Sequence, residues 1–423
     1  MKGGVVMLNI IDLFSGAGGL TEGFRLRGKF KFICHIEMDE DACASLALRN
    51  FYYYLKENND LKHYYEYIQG EISKEDLYSH IPISLREDVV NTEISESTIP
   101  DIFDFIDYRL NGKHIDGIIG GPPCQAYSTV GRAKNKQKKS TDKRIYLYKH
   151  YLDFLQRYNP QFFVFENVKG LLSFKDIDGE LLFPQIMADF NKCGYSVECQ
   201  VINANEYGIC QKRERLILVG VRNDLCIKKP FFSQLSLYKE RAPVLKDLLQ
   251  DLPAIQAGGR SDKYQGENTN EIVRKYIRKD GEYILTQHSA RPHNRNDLEI
   301  YKVVLNAKLK GKMLKYIDLP QKLRTHSNLT SFLDRFKALD YNSPSHTVVA
   351  HICKDGHYYI HPDLKQNRSI TVREAARIQG FPDNFYFEHS RTAAFKQIGN
   401  AVPPILSRKI AKAILKILGE REK

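Results

Sequence analysis

The chain has 423 residues, 42% of them apolar and 27% charged, an ordinary balance for a soluble globular protein with room for one large domain and a smaller one. No stretch approaches the ~20 consecutive apolar residues that cross a bilayer. The N-terminus MKGGVVMLNIIDLF runs its apolar residues straight into a glycine motif instead of a cleavage site, so a cytoplasmic protein is expected. The net charge of +12, with a pI near 9.1, points to a polyanionic partner.

Eight cysteines form no C-x-x-C pair and no zinc-type pairing with histidine, which argues against a structural metal. In a reducing compartment most of them are small buried hydrophobes.

In chain order, Leu8 to Phe14 reads as a short buried strand that ends in Ser15-Gly-Ala-Gly-Gly19, and the residues from Leu20 follow with helical spacing. Glycines there let a ligand approach the backbone, and helix-start N–H groups favour a carboxylate or phosphate. Phe30 to Ile36 is a second strand, closed by Glu37, where a carboxylate can accept hydrogen bonds from ribose hydroxyls. This pair suits an adenosine cofactor and leaves open a dinucleotide or S-adenosylmethionine. The glycine loop alone is as often a structural turn.

Residues 51–110, rich in Tyr, Glu, Asp and Ser, look like a long surface insertion. Ile115 to Ile119 is a further strand, and Gly120-Gly-Pro-Pro-Cys124 sets a thiol on a proline-stiffened turn at its end. The segment Arg132 to Arg144 then holds seven basic residues and one acidic one. It reads as a mobile loop able to close over a phosphate backbone, or as a plain flexible loop. Phe162 to Phe165 is the next strand. Glu166 follows it directly, partly desolvated by its apolar approach, and is a candidate proton donor or a turn carboxylate. Val197 to Ile202 and Leu216 to Val221 read as later strands forming a hairpin. If extended conformation starts early in Gln211-Lys-Arg-Glu-Arg215, Arg213 and Arg215 point to one side and can grip a carboxylate, a phosphate or a base edge. Residues 221–340 lose the strand–helix rhythm and hold 23 Lys/Arg against 14 Asp/Glu, which favours nucleic-acid contact over a merely solvated face. The alternation elsewhere predicts an open, mainly parallel α/β sheet with ligands at the carboxyl ends of its strands. Ser15, Glu37, Cys124 and Glu166 all fall at such ends.

These pieces resemble the DNA (cytosine-5) methyltransferase family of the prokaryotic restriction-modification type. The motifs run in family order: DLFSGAGGL (12–20), GGPPCQAYS (120–128), ENVKG (166–170), QKRER (211–215), REAARIQGFPDNF (373–385) and QIGNAVPP (397–404). The resemblance covers residues 8 to about 222 and about 345 to 420. It implies a Rossmann-like, S-adenosylmethionine-dependent catalytic domain over 1–222 and 345–423, with a smaller target-recognition domain over 223–344. A C-terminal helix after Pro403-Pro404 should pack beside the first glycine loop. With the first motif near residue 10, no N-terminal regulatory domain is expected.

The resemblance also implies roles. S-Adenosylmethionine would be held by Phe14, Ser15, Gly16, Gly18, Gly19, Leu20, Glu37, Met38, Glu71, Ile72, Pro123, Asn400 and Val402. Cys124 would add to C6 of a flipped-out cytosine, which makes C5 nucleophilic toward the methyl group. Glu166 would contact N3 and the 4-amino group, Arg215 would hold O2, and Arg213 would support the same cluster. Gln125, Ser128, Arg132 and Arg144 would contact double-stranded DNA. The enzyme would act as a monomer, without metal, alongside a cognate restriction endonuclease as a functional partner.

Three departures stand out: Cys210 where the family usually has proline, Glu71 where an aspartate commonly meets the adenine amino group, and Met38 where an aromatic is frequent. Rival readings are the tRNA-methylating branch of the same superfamily and a catalytically retired DNA-binding module. The large basic insert argues against the first, and the retained thiol, glutamate and arginines against the second. A dehydrogenase would leave PPCQ and ENV unexplained.

Overall fold

The structure is a computed structural model that describes residues 7–26, 28–123, 127, 142–225, 227–279, 284–325 and 327–419. Its centre is a seven-stranded sheet in the order β3-β2-β1-β4-β5-β8-β6. The strands are β1 (Leu8–Leu13), β2 (Phe30–Glu37), β3 (Val89–Asn91), β4 (Gly117–Gly120), β5 (Phe162–Asn167), β6 (Tyr195–Asn203) and β8 (Glu214–Arg222). The first five run parallel, and β8 and β6 close the sheet as an antiparallel pair. The expected hairpin of late strands is therefore present, and the short β7 (Gln211–Lys212) between its arms pairs instead with β9 (Ser345–His346).

Buried on both faces, β5 opens with the continuous apolar run Phe162–Phe165 and not with an alternating one. Within β1, Asp12 is buried and accepts a 2.5 Å hydrogen bond from Thr21 Oγ1. The chain leaves β1 toward β2 on one side and returns to β4 on the other. That reversal opens a crevice at the carboxyl ends of β1 and β4.

Two apolar cores flank the sheet. One holds α5 (Ile99–Leu110), α6 (Leu147–Tyr158) and α7 (Leu182–Lys192). The other holds α1 (Gly19–Phe24), α9 (Val372–Gln379), α10 (Arg391–Asn400) and α11 (Pro404–Ile417).

Residues 51–110 differ from the surface insertion expected. Val89–Asn91 is an edge strand of the main sheet, and α5 buries Ile99, Ile102, Ile106 and Leu110 beneath it. Three residues are too few to carry a strand signal. The remainder is a small helical layer made of the end of α2 (Glu40–Glu57), α3 (Leu61–Gln69) and α4 (Lys74–Ser79), with its own core around Phe51, Tyr52, Tyr64 and Leu77. It is pinned to the body by Tyr64 Oη, which donates to Asn384 O at 2.8 Å.

The segment 223–344 is also divided. Phe231, Leu235, Leu245, Leu248, Val273 and Ile277 belong to the same apolar core as α11. Ile300, Tyr301, Leu305, Tyr316, Phe336 and Ile360 form a separate small core around α8 (Arg295–Leu309).

Candidate active site

The glycine loop turns by repeated left-handed backbone at Phe14 (φ 55), Gly16 (φ 54) and Gly18 (φ 82). Ser15 N donates to Ile36 O at 3.1 Å, and Gly16 N donates to Glu37 Oε2 at 2.7 Å. The other oxygen, Glu37 Oε1, accepts from Met38 N and Asp39 N at 3.0 and 2.8 Å. Glu37 thus ties the loop to the end of β2. Its burial raises its pKa above the usual carboxylate value, against the lowering pull of these backbone donors. Beside it Met38 stands 59% exposed, an apolar side chain left open at the crevice.

The far side of the loop is sealed. A Cβ on Gly19 would lie 2.2 Å from Val402 O, so only glycine lets α1 reach the Ala401–Val402 backbone. Leu20 is buried, and its carbonyl accepts Ser407 Oγ at 2.6 Å. The C-terminal helix therefore does pack beside the first glycine loop, as the resemblance implied. Val402 is buried against that loop, while Asn400 is exposed at the end of α10.

At the end of β4, a Cβ on Gly121 would lie 2.4 Å from Glu166 O and 3.1 Å from Glu166 Oε2. Asn167 Nδ2 donates to Pro122 O at 3.3 Å. The Pro122–Pro123 turn is thereby held against the end of β5, with Pro123 half-buried. Cys124, Gln125, Ser128 and Arg132 lie outside the described residues. Tyr127 is buried and donates to Ile145 O at 2.6 Å. Arg144 forks onto Asp142, with Nε and Nη2 at 2.7 and 2.8 Å from its two oxygens.

Glu166 and Arg215 meet across β5 and β8, Arg215 Nε lying 2.9 Å from Glu166 Oε1 with both side chains largely buried. Arg213 does not join them. It is buried, and it donates to Val348 O (2.8 Å), Gly399 O (3.2 Å) and Ala401 O (2.9 Å). Residue 213 sits at the break between β7 and β8, so the alternation of a single strand does not extend to it. Its charge clamps the C-terminal motif to the sheet instead of reaching the crevice.

Glu71 and Ile72 also lie elsewhere. Glu71 is exposed just past the C-terminus of α3, and Ile72 packs on the tyrosine-rich core of the helical layer. The segment that meets the end of β2 is the end of β3: Thr92 N and Asn91 Nδ2 donate to Glu37 O at 2.9 and 3.2 Å, and Ile94 is buried close by. Gly70-Glu-Ile72 belongs to the helical layer, whereas the strand that meets Glu37, Val89–Asn91, is too short to leave a pattern in the sequence.

Two further residues carry a role that their motifs did not reveal. Gln211 donates to Gln379 Oε1 at 2.5 Å and accepts Val348 N at 2.7 Å, while Gln379 donates to Ala401 O at 2.5 Å. With Arg213 they knit QKRER, RIQGFP and GNAVPP into one buried junction.

Comparison with known proteins agrees with this layout. The family model of the C-5 cytosine-specific DNA methylases matches residues 87–416. The type II methyltransferase M.Bpa9945I of Bacillus paralicheniformis is 39% identical over 97% of this chain and 99% of its own length. M.DdeI of Desulfomicrobium norvegicum, another type II methyltransferase, is 28% identical over 96% of this chain and 88% of its own. Among solved structures, a prophage-encoded E. coli protein described as a DNA modification methyltransferase superposes with a TM-score of 0.65 at 26% identity, covering 98% of this chain and all of that one. A family match over most of the chain, on a sheet whose motif-bearing ends converge at one crevice, is decisive: the chain belongs to the C-5 cytosine-specific DNA methylase family and methylates cytosine C5 in DNA.

Proposed function

We propose that the enzyme methylates one cytosine within a specific sequence of double-stranded DNA, with S-adenosylmethionine as donor and Cys124 as nucleophile, as the modification partner of a type II restriction endonuclease. The observation that carries the reading is the Glu166–Arg215 ion pair at 2.9 Å, set against the Pro-Pro turn that leads to Cys124. A carboxyl and a guanidinium side by side match the edge of cytosine: one Glu166 oxygen accepts from the 4-amino group, the other delivers a proton to N3 as the thiolate adds, and Arg215 donates to O2. Thymine, with a carbonyl at position 4, would set two acceptors against each other.

The thiolate of Cys124 adds to C6, and the electron pair moves to C5, which takes the methyl group. A base or a water molecule then takes the C5 proton, and its C–H electron pair re-forms the C5–C6 double bond and expels the thiolate. Because the ring must present its face to sulfur, the base leaves the helical stack, at a cost of a few kcal/mol. The donor supplies an electrophilic methyl on a sulfonium. The left-handed loop Phe14–Gly18, Glu37 and the exposed Met38 fit its adenosine and amino-acid parts, and open space lies over Gly16. Asn91 and Thr92, which donate to Glu37 O from the end of β3, and Glu93, next in sequence, are the candidates for the adenine edge.

Incubation with radiolabelled S-adenosylmethionine and either duplex DNA or tRNA tests this directly. Label should enter cytosine C5 of DNA, and Cys124→Ser should abolish transfer. Transfer confined to tRNA would overturn the DNA reading, and transfer to adenine would overturn the mechanism.

A further inference from the structure

The small core around α8 is completed by Tyr301, Tyr316 and Phe336, and it leaves another aromatic outside. Phe332 is 68% exposed and holds φ at +54°, a backbone conformation that bulky side chains rarely adopt. Its loop is braced from within. Asn328 Oδ1 accepts from Thr330 N and Ser331 N, both at 3.0 Å. Arg335 donates to Asn328 O, Ser331 O and Phe332 O at 3.0–3.2 Å, and its guanidinium lies over the Tyr316 ring at 4.2 Å. The exposed ring is thus held on a preformed tip, not on a slack coil.

The surroundings suit a polyanion. Residues 309–337 carry seven Lys/Arg against two Asp, and Leu329, three residues before Phe332, is a second exposed apolar side chain. A line of contacts also joins this tip to the catalytic edge. Tyr358 Oη donates to Asp334 at 2.8 Å, and its ring meets Tyr359 edge-on. Tyr359 Oη donates to Thr347 O at 2.8 Å, and Thr347 Oγ1 donates to Lys212 O at 2.6 Å. Lys212 and Thr347 line a groove with Val168 and Lys169, next in sequence to the Glu166–Arg215 pair.

We propose that Asn328–Arg335 is a preformed finger that reads the target duplex, with the ring of Phe332 laid against bases of the site and flanking cations on the phosphates. The proposal rests on the methylation of duplex DNA argued above. Apolar rings in a basic setting serve as wedges or stacking platforms for bases, while the cations supply the salt-dependent part of affinity.

The test uses the full-length enzyme, labelled S-adenosylmethionine and duplex DNA carrying the mapped site. Phe332→Ala should raise KM for DNA about tenfold, the scale of one lost base–aromatic contact. Its kcat and donor affinity should stay within about twofold of wild type, and methylation should spread to near-cognate sites. The salt dependence of DNA binding should keep its slope, since no phosphate contact is lost. Phe332→Tyr should behave as wild type. Unchanged KM and site preference in Phe332→Ala, or equal losses in both variants, would overturn the finger; so would loss of binding to a protein partner with DNA kinetics intact. A wild-type enzyme that leaves duplex DNA unmethylated would remove the underlying reading and the finger together, and that outcome shows before any variant is made.

Discussion

Arg213 and Arg215 stand two residues apart in one motif and do opposite things. Arg215 points its guanidinium at Glu166, and Arg213 satisfies three buried carbonyls of the 348–401 junction. Removing Arg213 would strand those acceptors at ~1–3 kcal/mol for each left unsatisfied. Arg213→Ala should therefore lower the melting temperature by several degrees and weaken donor binding. Arg215→Ala, which leaves Glu166 without its cation but strands no buried carbonyl, should lower the melting temperature less and cut kcat by ~100-fold or more. Thermal melts run beside steady-state kinetics separate the two, and equal melting losses would refute the division of labour. The motif announced two arginines, and strand alternation predicted that they act together. The break between β7 and β8, created by pairing with the distant β9, is what parts them, and no local pattern contains that partner.

At the scale of elements, the first glycine loop owes its shape to a helix from the other end of the chain. Gly19 meets Val402 O, and a Cβ on Gly23 would lie 2.3 Å from Arg408 N, so α1 and α11 pack backbone to backbone. Gly19→Ala should push them apart. We expect donor affinity to fall at least tenfold, with a stability loss of about 1–3 kcal/mol from overpacking. Isothermal titration with S-adenosylmethionine checks this, and unchanged affinity would show that the α1–α11 contact does not shape the loop. Both elements were legible in the sequence, one as strand–glycine–helix and the other as an apolar helix after two prolines. The helical layer on α2–α4 was less so, because tyrosines at irregular spacing hide a core that forms only when Tyr52 and Tyr64 pack edge-on at 5.0 Å.

Across the whole molecule, burial sets the response to acid. His293 and His361 are depressed to about 4 and His346 to about 3, in each case first by desolvation. An unfolded histidine titrates near 6.5, so the unfolded state binds more protons as pH falls. The stability these neutral rings contribute is complete above about 6.5 and is lost progressively toward pH 4. Asp251, fully buried and held at about 2 by Arg377 and Arg278 against its own desolvation, adds a second loss as pH falls below the ordinary carboxylate range. The melting temperature should therefore decline between pH 7 and 5, before most carboxylates protonate. A flat profile there would contradict the neutral assignment of these histidines.

The sequence by itself determined the fold class, the order of the motifs and the chemistry they bear. Buried parallel strands must be apolar runs, and glycine, proline and cysteine at their ends leave a local mark. Tertiary structure decided which of those residues share a space: that Glu166 meets Arg215, that Arg213 and Gln211 serve the C-terminal junction, and that the end of β3 and not Glu71 adjoins Glu37. Such choices rest on pairings between residues about fifty to nearly two hundred positions apart, and their energies depend on burial and partner distance that no local window of sequence contains.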